Sequence, residues 1–140
     1  MPGKGYEFFE HTADVGLRAY GATLPELFVH AAQGLIELLV ERSPVAAKET
    51  RPVALAASSV DALLRVWLTE LLFWFSADRF LPAAYRLETV TDTEVHGTIS
   101  GEQFDPSRHA QGTEVKGLTY HEFRIQRTGH GWEASMIFDV

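Results

Sequence analysis

The chain of 140 residues contains no cysteine, which excludes disulfides and thiolate metal sites and fits a cytoplasmic protein. Its first residues, MPGKGYEFFEH, hold no apolar core of the kind a secretory signal needs, so none is expected. The longest apolar stretch, residues 63–75, is interrupted by Arg65, Thr69 and Glu70 and is too short and too polar to cross a bilayer. Positive charge is scarce: 12 Lys and Arg stand against 19 Asp and Glu, for a formal charge of −7. The basic residues form no run, so the chain lacks the footprint of a protein that grips nucleic acid with its own surface. A basic protein partner, or cations, suit this surface better. Catalytic signatures are missing too: no glycine-rich phosphate loop, HExxH, GxSxG or CxxC occurs. Gly97, Gly101 and Gly112 lie in β-rich sequence without the helix that a phosphate cradle requires.

What is present is an ordinary globular balance, 46% hydrophobic and 22% charged, expected to form one domain over residues 1–140 with its own core. Residues 8–20 read as strand, break, strand, with Val15, Leu17 and Ala19 alternating. Thr23 is a helix cap, Pro25 is tolerated in the first turn, and Glu26 completes a capping box. Leu27, Phe28, Ala31, Ala32, Leu35, Leu38 and Leu39 follow at helical spacing, with Gly34 as a place for close packing and Arg42-Ser43-Pro44 as the stop. Residues 51–57 read as a strand. Ser58 or Ser59 caps a second helix, whose stripe runs Val60, Leu63, Leu64, Trp67, Leu68, Leu71, Leu72 and Phe75. Period-two segments then occupy residues 85–91, 94–104, 114–127 and 131–138. Gly97 and Gly101 are expected at bulges or bends, residues 105–113 in an exposed loop and residues 128–131 in a hairpin turn. The expected class is α+β: two amphipathic helices on one face of a mostly antiparallel sheet.

Two places could carry chemistry. His11-Thr12-Ala13-Asp14 is short and polar between apolar strands, and Asp14 there could cap backbone N–H groups, donate a metal oxygen or act as a base. His11 and His121 are each a general base or a hydrogen-bonded structural histidine. A zinc site from His11, His121 and Asp14 has no recognised ligand spacing. The second place is the end, Phe138-Asp139-Val140, where an apolar strand runs to the terminus and is expected to be tied down. If the fold joins the two, Asp14, Asp139 and the Val140 carboxylate converge, and such a cluster repels itself unless a cation neutralises it. An oxygen-only set suits calcium or magnesium, with calcium preferred where carbonyls and water complete a loose shell of about six to eight oxygens. The competing reading is a carboxylate-rich tail left in solvent.

The chain resembles the archease family, the small acidic proteins that assist the tRNA-splicing RNA ligase. The resemblance is carried by His11-Thr12-Ala13-Asp14-Val15-Gly16 with Tyr6 and Glu10, by residues 24–39, and by DALLRVWLTELLF at 61–73. It continues through GEQFDPSRH at 101–109, EVKGLTYH at 114–121 and WEASMIFDV at 132–140. It departs at Val15 and Val140, where isoleucine is common, and at Gly117-Leu118; all keep the apolar character. The resemblance implies an activator rather than an enzyme. It would promote guanylylation and repeated turnover of the ligase that joins a 3′-phosphate or 2′,3′-cyclic phosphate to a 5′-hydroxyl. It also implies a divalent cation, calcium with magnesium or manganese as substitutes, on Asp14, Asp139 and Val140, with His11 and His121 shaping the region or touching the partner. GTP would belong to the ligase, and RNA would be reached only through it. No membrane partner is expected, and oligomeric state has no signature in the sequence. Two alternatives stand beside this: a chaperone or specificity modulator of tRNA-modifying enzymes such as methyltransferases, and a metal-dependent hydrolase using His11 and Asp14.

Overall fold

In the computed structural model, residues 5–11, 14–41 and 44–140 are described, His11 by its backbone alone. The break between the first strands (residues 12–13) and the Arg42-Ser43 part of the expected helix stop lie outside the described residues. Strands β1 (Tyr6–His11) and β2 (Asp14–Gly21) flank that break. Helix α1 (Leu24–Leu39) begins where expected: the Thr23 Oγ1 accepts the Glu26 N–H at 3.3 Å. Glu26 does not complete the reciprocal box on Thr23; its carboxylate accepts the N–H of Ala22 at 3.1 Å, one residue earlier. α1 runs directly into a two-residue strand, β3 (Val40–Glu41), before the expected stop. Strand β4 (Glu49–Ala56) leads to helix α2 (Val60–Asp78), capped by Ser59, whose Oγ accepts the Ala62 N–H at 3.2 Å. α2 closes on Arg79, a non-glycine residue in the left-handed region with φ 63°.

The remaining strands are β5 (Phe80–Val90), β6 (Glu94–Gln103), β7 (Ala110–Gln111), β8 (Gly117–Leu118), β9 (Arg124–Thr128) and β10 (Gly131–Asp139). The α+β class and the antiparallel pairing hold, but the strands divide into three sheets. The largest runs β1-β2-β10-β8, with β9 also on β10; a second runs β4-β6-β5; a third pairs β3 with β7. Both helices touch both larger sheets: α1 packs on β1, β2, β10 and β5, and α2 on β4, β5, β6, β8 and β9. One apolar core joins them, with Trp67, Phe28, Phe80 and Phe138 fully buried. The Trp67 Nε1–H donates to the Phe28 carbonyl at 2.9 Å, so the largest core side chain leaves no orphaned donor and ties the helices together. Gly34 permits close packing as expected, since a Cβ there would lie 2.6 Å from Leu17 Cδ1.

Two of the expected β features change form. The bulges lie on β5, between Pro82 and Ala84 and between Leu87 and Thr89, opposite Gly101 and Gly97 on β6. A Cβ at either glycine would collide with a β5 carbonyl, Leu81 or Arg86. The segment 114–127 is not one strand. It pairs with β10 through β8 at its start and β9 at its end, with an excursion between. The interruption has local causes: Glu122 takes φ 53°, and Thr119 Oγ1 accepts the His121 N–H at 3.1 Å. Arg65 of α2 also captures the carbonyls of Thr119 at 2.8 Å and Leu118 at 3.4 Å. The loop 105–113 is not wholly exposed; β7 pairs with β3, and His109 is buried.

Candidate functional site

The two ends meet. β10 pairs antiparallel with β2 over eight positions, Trp132 opposite Gly21 through Asp139 opposite Asp14. The β1–β2 hairpin sets the His11 backbone opposite Asp14, and β8 sets Gly117 opposite Asp139. One row across the sheet therefore reads His11, Asp14, Asp139, Gly117. Residues directly opposed in an antiparallel pair share a face, with Cβ atoms about 4.5–5.5 Å apart. The register thus makes Asp14 and Asp139 direct cross-strand neighbours on one face of the sheet.

The residues before the terminus explain why it stays there. Met136, Ile137 and Phe138 are buried, Asp139 is exposed, and Val140 packs against the core. The Lys116 N–H donates to the Asp139 carbonyl at 2.7 Å, closing the last strand position from the β8 side. A tail left free in solvent is therefore not what forms. The Val140 side chain is anchored, and its terminal carboxylate is held next in sequence to Asp139.

Two like charges in direct opposition are destabilising. At about 5 Å the repulsion runs from about 1 kcal/mol at the dielectric of water to about 3 kcal/mol at an effective value near 20. A cation between them would remove that cost. The donor set is all oxygen and all anionic, which fits a hard divalent ion and not a soft one. Among the described residues no three His, Cys, Asp or Glu side chains gather; the third anionic group here is the main-chain terminus. The zinc set of His11, His121 and Asp14 is not assembled from the described side chains. His121 lies on the exposed turn after β8, its Nε2 3.0 Å from the Glu122 carboxylate, and the side chain of His11 is outside the described residues.

A second polar cluster escapes a reading by pattern. Glu102 is only 4% accessible. Its carboxylate accepts the Ala46 N–H at 2.6 Å and faces His109 Nε2 at 3.0 Å and Lys48 Nζ at 3.4 Å, with Arg108 also paired to it. His109 Nδ1 accepts the Asp105 N–H at 2.8 Å, so the proton sits on Nε2 and donates to Glu102. Burial pushes the Glu102 carboxyl up, but the Ala46 N–H, His109 and Arg108 together outweigh it and leave the group below its ordinary range. The cluster is a clasp between residues 44–48 and the loop after β6. GEQFDPSRH holds all its acidic and imidazole members, yet alternation along a strand gives no sign that Glu102 points inward. Lys116 carries no such sign either; only the pairing of β8 with β10 places it beside Asp139.

The profile of the Archease protein family (MTH1598/TM1083) matches residues 6–140. The chain belongs to this family. It is similar to the protein archease of Methanosarcina acetivorans, 35% identical over 142 residues that cover 99% of this chain and 97% of the relative. It is also 35% identical to the protein archease of Sulfurisphaera tokodaii, over 96% of this chain and 98% of that one. The solution structure of Methanobacterium thermoautotrophicum protein 1598 superposes with a TM-score of 0.81 at 33% identity, covering 97% of this chain and 99% of that one. A crystal structure of an archease from Thermotoga maritima, described as a possible chaperone, shares the fold, with a TM-score of 0.66 at 20% identity over 94% of each chain. The Archease match covers both halves of the carboxylate site, since it runs from β1 to the terminal residue. Among the described residues no helix is long and apolar enough to cross a membrane.

Proposed function

We propose that the chain is a protein activator of the GTP-dependent RNA ligase of tRNA splicing and RNA repair. It promotes ligase guanylylation and repeated turnover without catalysing a bond change itself. The observation that supports this reading is the register pairing of Asp14 with Asp139 next to the terminal carboxylate, within a chain of the Archease family. Asp14, Asp139 and Val140 would hold a divalent cation, calcium by preference with magnesium or manganese as substitutes. The cation would supply a positive centre shared by these carboxylates. The chain's own part is rigid presentation: Phe138 and Val140 anchor the end, and β2 and β8 flank it on either side. An acidic surface of this kind is steered to the basic mouth of an enzyme that handles GTP and RNA. GTP, the ligase's own metals and the RNA stay with the ligase, and the setting is the cytoplasm. His11 and His121 would shape the region or contact the partner.

The test is turnover. Purified protein, cognate ligase, GTP, a divalent metal and cleaved tRNA halves are combined with the ligase limiting. The ligase is expected to cycle many times with the protein and to stall without it; equal rates would sink the proposal. The description of the Thermotoga relative as a possible chaperone supports a second reading, a chaperone or specificity modulator of tRNA-modifying enzymes. It predicts gain of solubility or fidelity in such an enzyme with the ligase unaffected.

A further inference from the structure

The face of β2 that carries Asp14 also carries Gly16 and Arg18, since alternate residues of a strand share a side. Four residues of strand set Arg18 about 13 Å from Asp14 along the backbone. An extended arginine leaning toward an aspartate can bridge that gap, so the chain has a guanidinium of its own within reach of the carboxylate site. The guanidinium is held elsewhere. Arg18 Nη1 lies 3.1 Å from the Glu7 carboxylate, and the guanidinium carbon lies 4.8 Å from the centroid of the Phe9 ring. Glu7 is opposite Arg18 in the β1–β2 register and also accepts the Tyr20 hydroxyl at 2.7 Å. Arg18 is therefore drawn across the sheet to β1 and not along β2 to Asp14.

Phe9 fills the step between. It is opposite Gly16, which is in turn opposite Ile137. A Cβ at Gly16 would lie 2.2 Å from Phe9 Cε1, so the ring rests directly on the β2 backbone, and Gly16 and Ile137 are buried. Phe9 and Ile137 are not part of the apolar core that holds Leu17 and Ala19; they line the other side of the sheet. An apolar step thus separates the row of Asp14 and Asp139 from the row of Glu7 and Arg18. A guanidinium crossing it would give up both its ring platform and its Glu7 partner. We infer that Phe9, seated on Gly16, is a positioning residue of the carboxylate site: it holds Arg18 against Glu7, keeps the guanidinium from pairing with Asp14, and so leaves Asp14 and Asp139 to a bound cation. This rests on the cation that the activator reading assigns to these residues.

The experiment measures calcium binding to the purified full chain by calorimetry at low salt, with no partner present. Phe9→Ala is expected to raise the dissociation constant about 10-fold, the effect of one unit charge brought to about 5 Å from a divalent ion at the dielectric of water. The fold should persist, because Phe9 lies outside the apolar core. Gly16→Ala reaches the same end by another route: it forces the ring off its seat without removing it, and should weaken calcium binding likewise. Both losses should shrink as salt rises. Arg18→Gln alone should bind calcium close to wild type, since that charge is already paired and held away. Added to Phe9→Ala or to Gly16→Ala, it should restore affinity, a coupling that a purely structural role of the ring would not produce. Wild-type calcium affinity in both Phe9→Ala and Gly16→Ala overturns the inference and leaves the cation reading intact. A loss that Arg18→Gln does not restore overturns it too, because the ring then acts by packing alone. Absence of calcium binding by the wild-type protein removes the cation reading and this inference together.

Discussion

Replacing Asp139 by asparagine should invert the protein's stability order with and without a divalent cation. Asp139 and Asp14 face each other across β10 and β2, and asparagine keeps the shape while removing one of the two opposed charges. The relief is about 1 to 3 kcal/mol by the Coulomb range for charges about 5 Å apart. For a chain of this size each kcal/mol moves the midpoint by about 3 °C. In EDTA at low salt, Asp139→Asn should therefore melt about 3 to 9 °C above wild type. The gain should shrink at physiological ionic strength, where the screening length is about 8 Å. Calcium should reverse the ranking. A ligand at one hundred times its dissociation constant stabilises the native state by about 2.7 kcal/mol, and only wild type retains both side-chain carboxylates. Thermal unfolding followed by circular dichroism, in EDTA and across a calcium series, tests this without a partner. Asp139→Asn melting at or below wild type in EDTA would refute the repulsion. A wild-type midpoint unmoved by millimolar calcium would refute the cation.

Two further predictions concern the core. Glu102 titrates below its ordinary value of 4.5, so its contribution to stability is complete above that pH and is lost as pH falls through the lower folded value. Glu102→Gln should cost about 3 kcal/mol at pH 7, since it leaves a buried cluster built for an anion. It should also flatten the acid side of the urea-denaturation stability profile, and a slope unchanged below pH 4.5 would count against the clasp. The Tyr85 hydroxyl is the buried side-chain polar atom without a hydrogen-bond partner among the described residues, and burial raises its pKa. Tyr85→Phe should be neutral or stabilising by up to about 1 kcal/mol in urea; a loss of that size would show that the hydroxyl is satisfied.

Much of the candidate site was legible because its two halves sit at local signals: a polar break after β1 and an apolar strand running to the last residue. That Asp14 and Asp139 are cross-strand partners was only an inference from those signals, because register is a long-range property set by pairing and not by composition. The clasp at Glu102 was hidden for a similar reason. Its ligands come from residues 46, 48, 108 and 109, and no single stretch shows that they converge. The strand reading of residues 114–127 failed where Arg65, 54 residues earlier than Thr119, takes the carbonyls of the chain. A period of two describes the segment itself and is blind to a helix that docks on it.

Local chemistry in the chain was enough for both helices and for the Thr23 and Ser59 caps. Each rests on side chains within a few turns of one another, where spacing alone decides which face is apolar. Tertiary packing decided the division into three sheets, the partner of each carboxylate and the inward turn of Glu102. Those depend on contacts between distant segments, where the entropy of closing a loop is offset only once the whole core has formed.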